Sequence, residues 1–210
     1  MNAAFHQPAE RGCANSVLCI AIADDDARTR EYLWSALERL GHQVLSGART
    51  GRELIEHCRR FRPDLVIADI KMPDMDGIEA VQEICQEEPL PFILITGFDD
   101  PEYIERAMRE YVFAYLVKPV KEQSLAPTIA IAVERFRQIK ALREEADGWK
   151  QALEDRKMIE RAKGIIMKRS GLDEPEAFRR LQKLASRKSR KLVEIARLVA
   201  TAEEVYDPDW

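Results

Sequence analysis

Five polar side chains in the first 120 residues stand at the ends of apolar runs, in an order that suits phosphoryl chemistry. Residues 17–25 (VLCIAIADD) end in Asp24 and Asp25, residues 65–69 (LVIAD) in Asp69 and residues 92–96 (FILIT) in Thr96, while residues 114–119 (AYLVKP) deliver Lys118. Three carboxylates brought together repel one another unless a cation joins them. A hard cation such as Mg²⁺ takes oxygen ligands and keeps several waters, so two carboxylates and a backbone carbonyl meet its needs. One carboxylate can serve as a nucleophile and carry a phosphoryl group as an acyl phosphate. An ammonium and a hydroxyl would then steady the equatorial oxygens in the transition state.

Residues so far apart in the chain meet only if the fold gathers them. In an open parallel sheet, groups at the carboxyl ends of neighbouring strands converge on one crevice. The intervening segments have helical spacing. Residues 26–40 place Tyr32, Leu33, Ala36, Leu37 and Leu40 on one face, and Gly41 follows as a helix-ending residue. Residues 51–61, 78–86 and 101–109 repeat the pattern, with 44–48 a short second strand. The alternation is (βα)5, an α/β architecture with a parallel five-stranded sheet covered by helices on both faces.

The 210-residue chain has a formal net charge of −4 that hides a polarity. Residues 155–200 hold 14 Lys+Arg against 6 Asp+Glu, a balance of +8 that leaves the rest at −12. An acidic module joined to one that meets an anion is the implied organisation. The four cysteines lack C-x-x-C spacing, and Cys19, Cys58 and Cys85 fall in apolar patterns, as free buried thiols do. His6, His42 and His57 form no ligand cluster. No stretch reaches the ~18–20 apolar residues of a membrane span, and residues 1–15 lack a signal-peptide core. A cytoplasmic protein with no membrane partner and a disordered lead over 1–15 is expected.

Helical spacing resumes near Glu122 and continues to about Arg169. A helix of that length reaches about 70 Å, more than its own domain can cover. Within it Ile139, Leu142, Ala146, Trp149 and Leu153 fall at intervals of 3, 4, 3 and 4, a heptad seam flanked by charge. The expectation is a coiled coil that pairs two copies, the alternative being an intramolecular packing face. Gly148 offers a place to bend. Beyond Gly171, Asp173 with Glu176 reads as a capping box and Pro175 suits a first turn. Phe178, Leu181, Leu184 and Ala185 form one apolar face; Ser189 is placed to cap a last helix carrying Leu192, Ile195, Ala196 and Val199. Together these make a small all-α three-helix module.

The string LVIADIKMPDMDG (65–77), the Asp24–Asp25 pair, Thr96 and AYLVKP resemble the flavodoxin-like (CheY-like) receiver domain of two-component response regulators. The resemblance covers residues 16–136. It implies that Asp69 accepts a phosphoryl group from a cognate histidine kinase, and that Asp24, Asp25, Asp69 and the carbonyl of Lys71 hold Mg²⁺. It implies further that Thr96 and Lys118 sense the phosphoryl group, that Tyr115 and Pro119 act as the switch, and that Lys118–Pro119 is cis. Asp26 then points away. Lys71 and Phe98 are less typical; Phe98 is expected to hinder water and slow dephosphorylation.

Residues 156–172, 174–185 and 191–200 resemble the ANTAR domain of the AmiR and NasT regulators, which bind RNA as transcription antiterminators. Lys157, Arg161, Gly164 and Lys168, spaced 4, 3 and 4, share one stripe of a helix, with glycine leaving the backbone open to approach. Lys163 and Arg169 extend that basic surface, and Arg187, Lys188, Arg190 and Lys191 make a second cluster ahead of helix amides that favour anions. With Phe178 the one aromatic inside the module and Tyr206 just beyond it, guanidinium stacking is the expected mode. The organisation is a lead (1–15), receiver (16–136), helical coiled-coil linker (137–155), ANTAR domain (156–204) and tail (205–210). The implied protein is a regulator, not an enzyme. It dimerises on phosphorylation and binds structured leader RNA, with DNA binding or protein-adaptor signalling as alternatives.

Overall fold

Apolar runs of five or six residues, too short for core helices, form the strands of a computed structural model that describes residues 17–97 and 112–205. The strands are β1 (Cys19–Ala23), β2 (Gln43–Ala48), β3 (Leu65–Asp69), β4 (Phe92–Thr96) and β5 (Val112–Val117). The helices are α1 (Ala27–Arg39), α2 (Gly51–Phe61), α3 (Gly77–Glu87), α4 (Glu122–Ser170), α5 (Glu174–Lys188) and α6 (Leu192–Val205). The expected helix over 101–109, Phe98, Tyr206, the lead and the tail lie outside the described residues. The chain divides into two compact units, Met1–Lys140 and Ala141–Trp210.

In the first unit the strands pair in parallel in the order β2-β1-β3-β4-β5. Side chains alternate across a strand with period two, and here both faces are buried. Ala21, Ala23, Val66, Ala68, Phe92 and Leu94 face α2 and α3, meeting Leu54, Ile55, Ile78 and Val81. Ile20, Ile22, Leu65, Ile67, Ile93 and Ile95 face the other way, toward Leu33 and Leu37 of α1 and Leu125, Ile129 and Ala132 of α4. Cys58 and Cys85 are buried free thiols, and burial pushes the Cys58 thiol up to about 12. Winding runs from β1 outward to β2, then back across to β3. The point where the order reverses is the crevice between β1 and β3.

Local signals set the helix ends. Asp26 caps α1 by accepting from the backbone amides of Arg28 and Thr29. Gly41 follows α1 with φ +85°, a conformation that glycine adopts without strain.

In the second unit, Ala162 and Ile166 of α4, Ala177, Leu181 and Ala185 of α5, and Ile195 and Ala196 of α6 make one core. The Asp173–Glu176 capping box and Pro175 open α5 as read from sequence. Ser189 departs from that reading: it ends α5 as a left-handed cap (φ 49°), its amide returning to the carbonyls of Ala185 and Ser186. Arg187 and Lys188 therefore close α5 instead of opening α6. Helix α4 runs unbroken through Asp147 and Gly148. No helix among the described residues is long and apolar enough to cross a membrane.

Candidate functional site

The carboxyl ends of β1, β3, β4 and β5 bring the five polar groups together. Asp24 is fully buried, Asp69 and Thr96 nearly so, and Asp25 is exposed. One oxygen from each of Asp24, Asp25 and Asp69 lies within 4.8 Å of the others. Lys118 reaches in from β5: its Nζ is 2.5 Å from Asp69 Oδ2 and 3.1 Å from Asp24 Oδ2. The contact to Asp69 is a hydrogen bond. The other Asp24 oxygen accepts from the Asp26 amide at 2.9 Å, and Asp69 Oδ1 accepts weakly from the Lys71 amide at 3.4 Å. Thr96 Oγ1 donates to the carbonyl of Gly97 at 3.0 Å. The peptide preceding Pro119 is cis.

Burial dominates the electrostatics. It raises the Asp69 pKa above the ordinary carboxylate value; Lys118 pulls it back, and the charge of Asp24 adds to the rise. Burial alone would lower Lys118, but its hydrogen bonds and attraction to Asp69 and Asp24 leave the ammonium held above its usual range. One ammonium faces three carboxylates, so the pocket carries excess negative charge on hard oxygen donors. That donor set fits Mg²⁺.

Two contributors were not singled out from the sequence. Arg30 Nη1 donates to the backbone carbonyls of Asp24 (2.6 Å) and Asp25 (3.0 Å), fastening the loop that presents both carboxylates. The signal in the sequence is faint: Arg30 is one turn beyond the Asp26 cap, on a helix whose strongest pattern is its apolar face. Gly77 begins α3, where a Cβ would sit 2.3 Å from the carbonyl oxygen of Asp69. The helix start is thereby seated directly against the end of β3.

Tyr115 is half-buried against the core that faces α2 and α3. Its hydroxyl is enclosed with no hydrogen-bond partner among the described residues, and burial raises its pKa.

The basic residues of the second unit separate into two groups. Lys157, Arg161, Gly164 and Lys168 are all exposed on α4, and nothing lies within 4 Å of where a Gly164 side chain would begin. Ala162 and Ile166 are buried and Ile159 half-buried, so one face is core and another is open. Arg187, Lys188, Arg190 and Lys191 are exposed around the α5–α6 turn. Lys163 departs from the expected surface. Its side chain is 9% exposed, and Nζ lies 2.6 Å from Glu174 and 2.8 Å from Glu160, near the Phe178 ring. Those two hydrogen bonds hold its pKa up. The reason was legible: Lys163 is four residues after Ile159 and three before Ile166, on the apolar stripe. Arg169 is ion-paired with Glu203. Each of Ile139, Leu142, Ala146, Trp149 and Leu153 is exposed.

A five-stranded parallel sheet with this acidic crevice and a lysine from β5 defines the class of flavodoxin-like receiver folds. Residues 20–130 match the response regulator receiver domain and residues 148–199 the ANTAR domain. The transcriptional regulatory protein PdtaR of Mycobacterium tuberculosis is 38% identical over 180 residues, covering 86% of this chain and 88% of that protein. Two solved structures resemble the first unit. The receiver domain of a modulated diguanylate cyclase from Desulfovibrio desulfuricans G20 shares 31% identity with TM-score 0.55, over 59% of this chain and 98% of that one. The REC domain of AraT, a response regulator from Geobacillus stearothermophilus, shares 32% with TM-score 0.54, over 60% and 99%. The chain belongs to the two-component response regulators that join a receiver to a C-terminal ANTAR domain.

Proposed function

We propose that Asp69 takes a phosphoryl group from a histidine kinase and that the acyl phosphate controls RNA binding by the ANTAR domain. The observation that carries the first half is the Asp69 carboxylate at a strand end, 2.5 Å from the Lys118 ammonium and beside Asp24 and Asp25. An Asp69 oxygen attacks phosphorus, the bond from phosphorus to the kinase imidazole breaks, and the imidazole leaves. Lys118 shifts from the carboxylate to an oxygen of the transferred group, and the Thr96 hydroxyl turns from the Gly97 carbonyl to another. Asp24, Asp25, Asp69 and the Lys71 carbonyl would hold Mg²⁺, which neutralises charge on the phosphoryl oxygens. Movement of Thr96 and Lys118 gives Tyr115 and Pro119 a changed neighbourhood, and the enclosed Tyr115 hydroxyl gains by reaching a partner elsewhere.

The output reading rests on an open basic stripe, Lys157–Arg161–Lys168, that shares its helix with a buried apolar face. Arg187, Lys188, Arg190 and Lys191 add a second anion-attracting surface, and Arg169 follows Lys168 at the end of the stripe. Such surfaces bind phosphate backbones with affinity that falls as salt rises. The name of the mycobacterial relative, a transcriptional regulatory protein, agrees with this role. In this reading the exposed seam Ile139–Leu142–Ala146–Trp149–Leu153 pairs with a second copy on phosphorylation. Two modules then grip one structured leader RNA, gaining affinity through effective concentration. A terminator hairpin competing for the same segment is disfavoured, and transcription continues.

Binding to a pool of structured-loop RNAs tests this at two salt concentrations, with and without Mg²⁺ and beryllofluoride, an acyl-phosphate mimic. The expected result is tighter, salt-sensitive binding to a shared loop motif when the mimic is present. Binding indifferent to the mimic would remove phosphorylation as the control. No binding in either state would remove the RNA role.

A further inference from the structure

The basic stripe of α4 does not stand alone. Glu154, Lys157, Met158 and Arg161 of α4 and Arg197 of α6 line a recess of about 340 Å³, within the size range of small-ligand sites. Arg197 Nη2 donates to Asp155 Oδ1 at 3.3 Å, and Gln151 Nε2 donates to the same oxygen at 2.8 Å. Asp155 thus draws the Arg197 guanidinium to the side of α4. Met158 is half-buried and packs on the three-helix core, so its thioether forms a fixed apolar wall between cations. Glu154 is exposed at the rim.

This composition is wrong for phosphate alone, because a bare anion would meet Glu154 and Asp155 along with the cations. It suits a ligand that is anionic at one end and, at the other, planar and rich in N–H donors. An unstacked nucleotide has that character. Bases splayed from RNA loops stack on guanidinium planes, thioethers make favourable contacts with aromatic rings, and carboxylates accept from base amino groups.

We propose that this recess takes one unstacked nucleotide of an RNA loop. The base lies against Met158 and Arg197, Glu154 accepts from an amino group on its Watson–Crick edge, and Lys157 and Arg161 hold the adjoining phosphate. The proposal rests on the RNA-binding reading and adds base selection to it. Uracil, whose edge presents one N–H between two carbonyls, is the poorest occupant. Arg197 was outside the stripe read from sequence because it comes from another helix, 40 residues after Lys157.

The test uses the full chain and a pool of short hairpin RNAs with a fixed stem and randomised loop. Wild type should enrich an amino-bearing base at one loop position, with uracil there weakening binding roughly tenfold. Arg197→Gln should lose that preference and roughly tenfold in affinity for the enriched loop. Glu154→Gln, at an exposed site that leaves the Asp155–Arg197 pair intact, should change the base preferred. Lys157→Ala should instead weaken all loops alike and lower the salt slope by about one. Thermal melts of each variant confirm that the core is intact. Arg197→Gln and Glu154→Gln proteins that bind the enriched loop as wild type does would overturn the recess. So would a loss spread evenly over all loops. Salt-dependent wild-type binding without any base enrichment overturns the recess and leaves RNA binding standing; no binding to any hairpin overturns both.

Discussion

Two lysines of this chain each meet two carboxylates, and their surroundings make them opposites. At Lys118 the anions are buried: the side chains of Asp24 and Asp69 are 0% and 7% exposed, and that of the lysine is 36% exposed. At Lys163 it is the lysine side chain that is buried, 9% exposed, while Glu160 and Glu174 are 55% and 64% exposed. Desolvated anions in excess of their counter-ion are costly and reactive, and they invite a metal and a phosphoryl group. A single cation held between two water-exposed carboxylates is already neutralised. The same three charged groups, turned inside out, separate a chemical site from a structural one.

The sharpest way to break the comparison is Asp69→Asn. Phosphate incorporation from a kinase or a small acyl-phosphate donor should be abolished, and the metal-free protein should melt at a higher temperature because a strained charge is gone. Retained labelling would move the acceptor elsewhere. Next in size is Gly77→Ala, which drives a methyl group toward the Asp69 carbonyl. It should destabilise the receiver by about 3 kcal/mol, the upper end of overpacking costs, as read by urea unfolding.

The buried-anion side also predicts a pH signature. A raised Asp69 pKa means the folded chain holds this proton more tightly than the unfolded chain does. Its contribution to stability therefore declines as pH rises from the ordinary carboxylate value, ~3.9, through the raised one. Mg²⁺ should reverse that loss only above this window, adding about 2.7 kcal/mol at a hundred times its dissociation constant. Melting curves at acidic and neutral pH, with and without Mg²⁺, check the sign; equal stabilisation at both would contradict it. The smallest effect belongs to the other lysine. Lys163→Met should leave loop-RNA affinity unchanged in a filter-binding assay in which Lys157→Ala weakens it. A loss matching that of Lys157→Ala would return Lys163 to the RNA face.

What the sequence revealed follows the range of its signals. Strand runs and helix periodicity are local, so the (βα)5 order, Gly41 and the Asp173 capping box could be read directly. The pocket was legible because parallel topology sends every strand end to one crevice, so Asp24, Asp69, Thr96 and Lys118 needed no distances. Contacts between elements were harder. Ser189 sits between two helices and can serve either; its left-handed backbone, not its type, assigns it to α5. Arg30 and Arg197 act on groups whose positions only the fold supplies. Lys163 was misplaced because its charge outweighed its position on the apolar stripe.

Helix α4 has one further consequence. Every residue from 137 to 154 is exposed, so this stretch is held helical by its own backbone and by pairs such as Gln138–Glu134 and Gln151–Asp155. Isolated helices of that kind fray and re-form. It is where a protease should nick the single chain first, parting it into two folded fragments. A partner helix laid along the Leu142–Trp149 side would close that window, making resistance to digestion a simple clock for assembly.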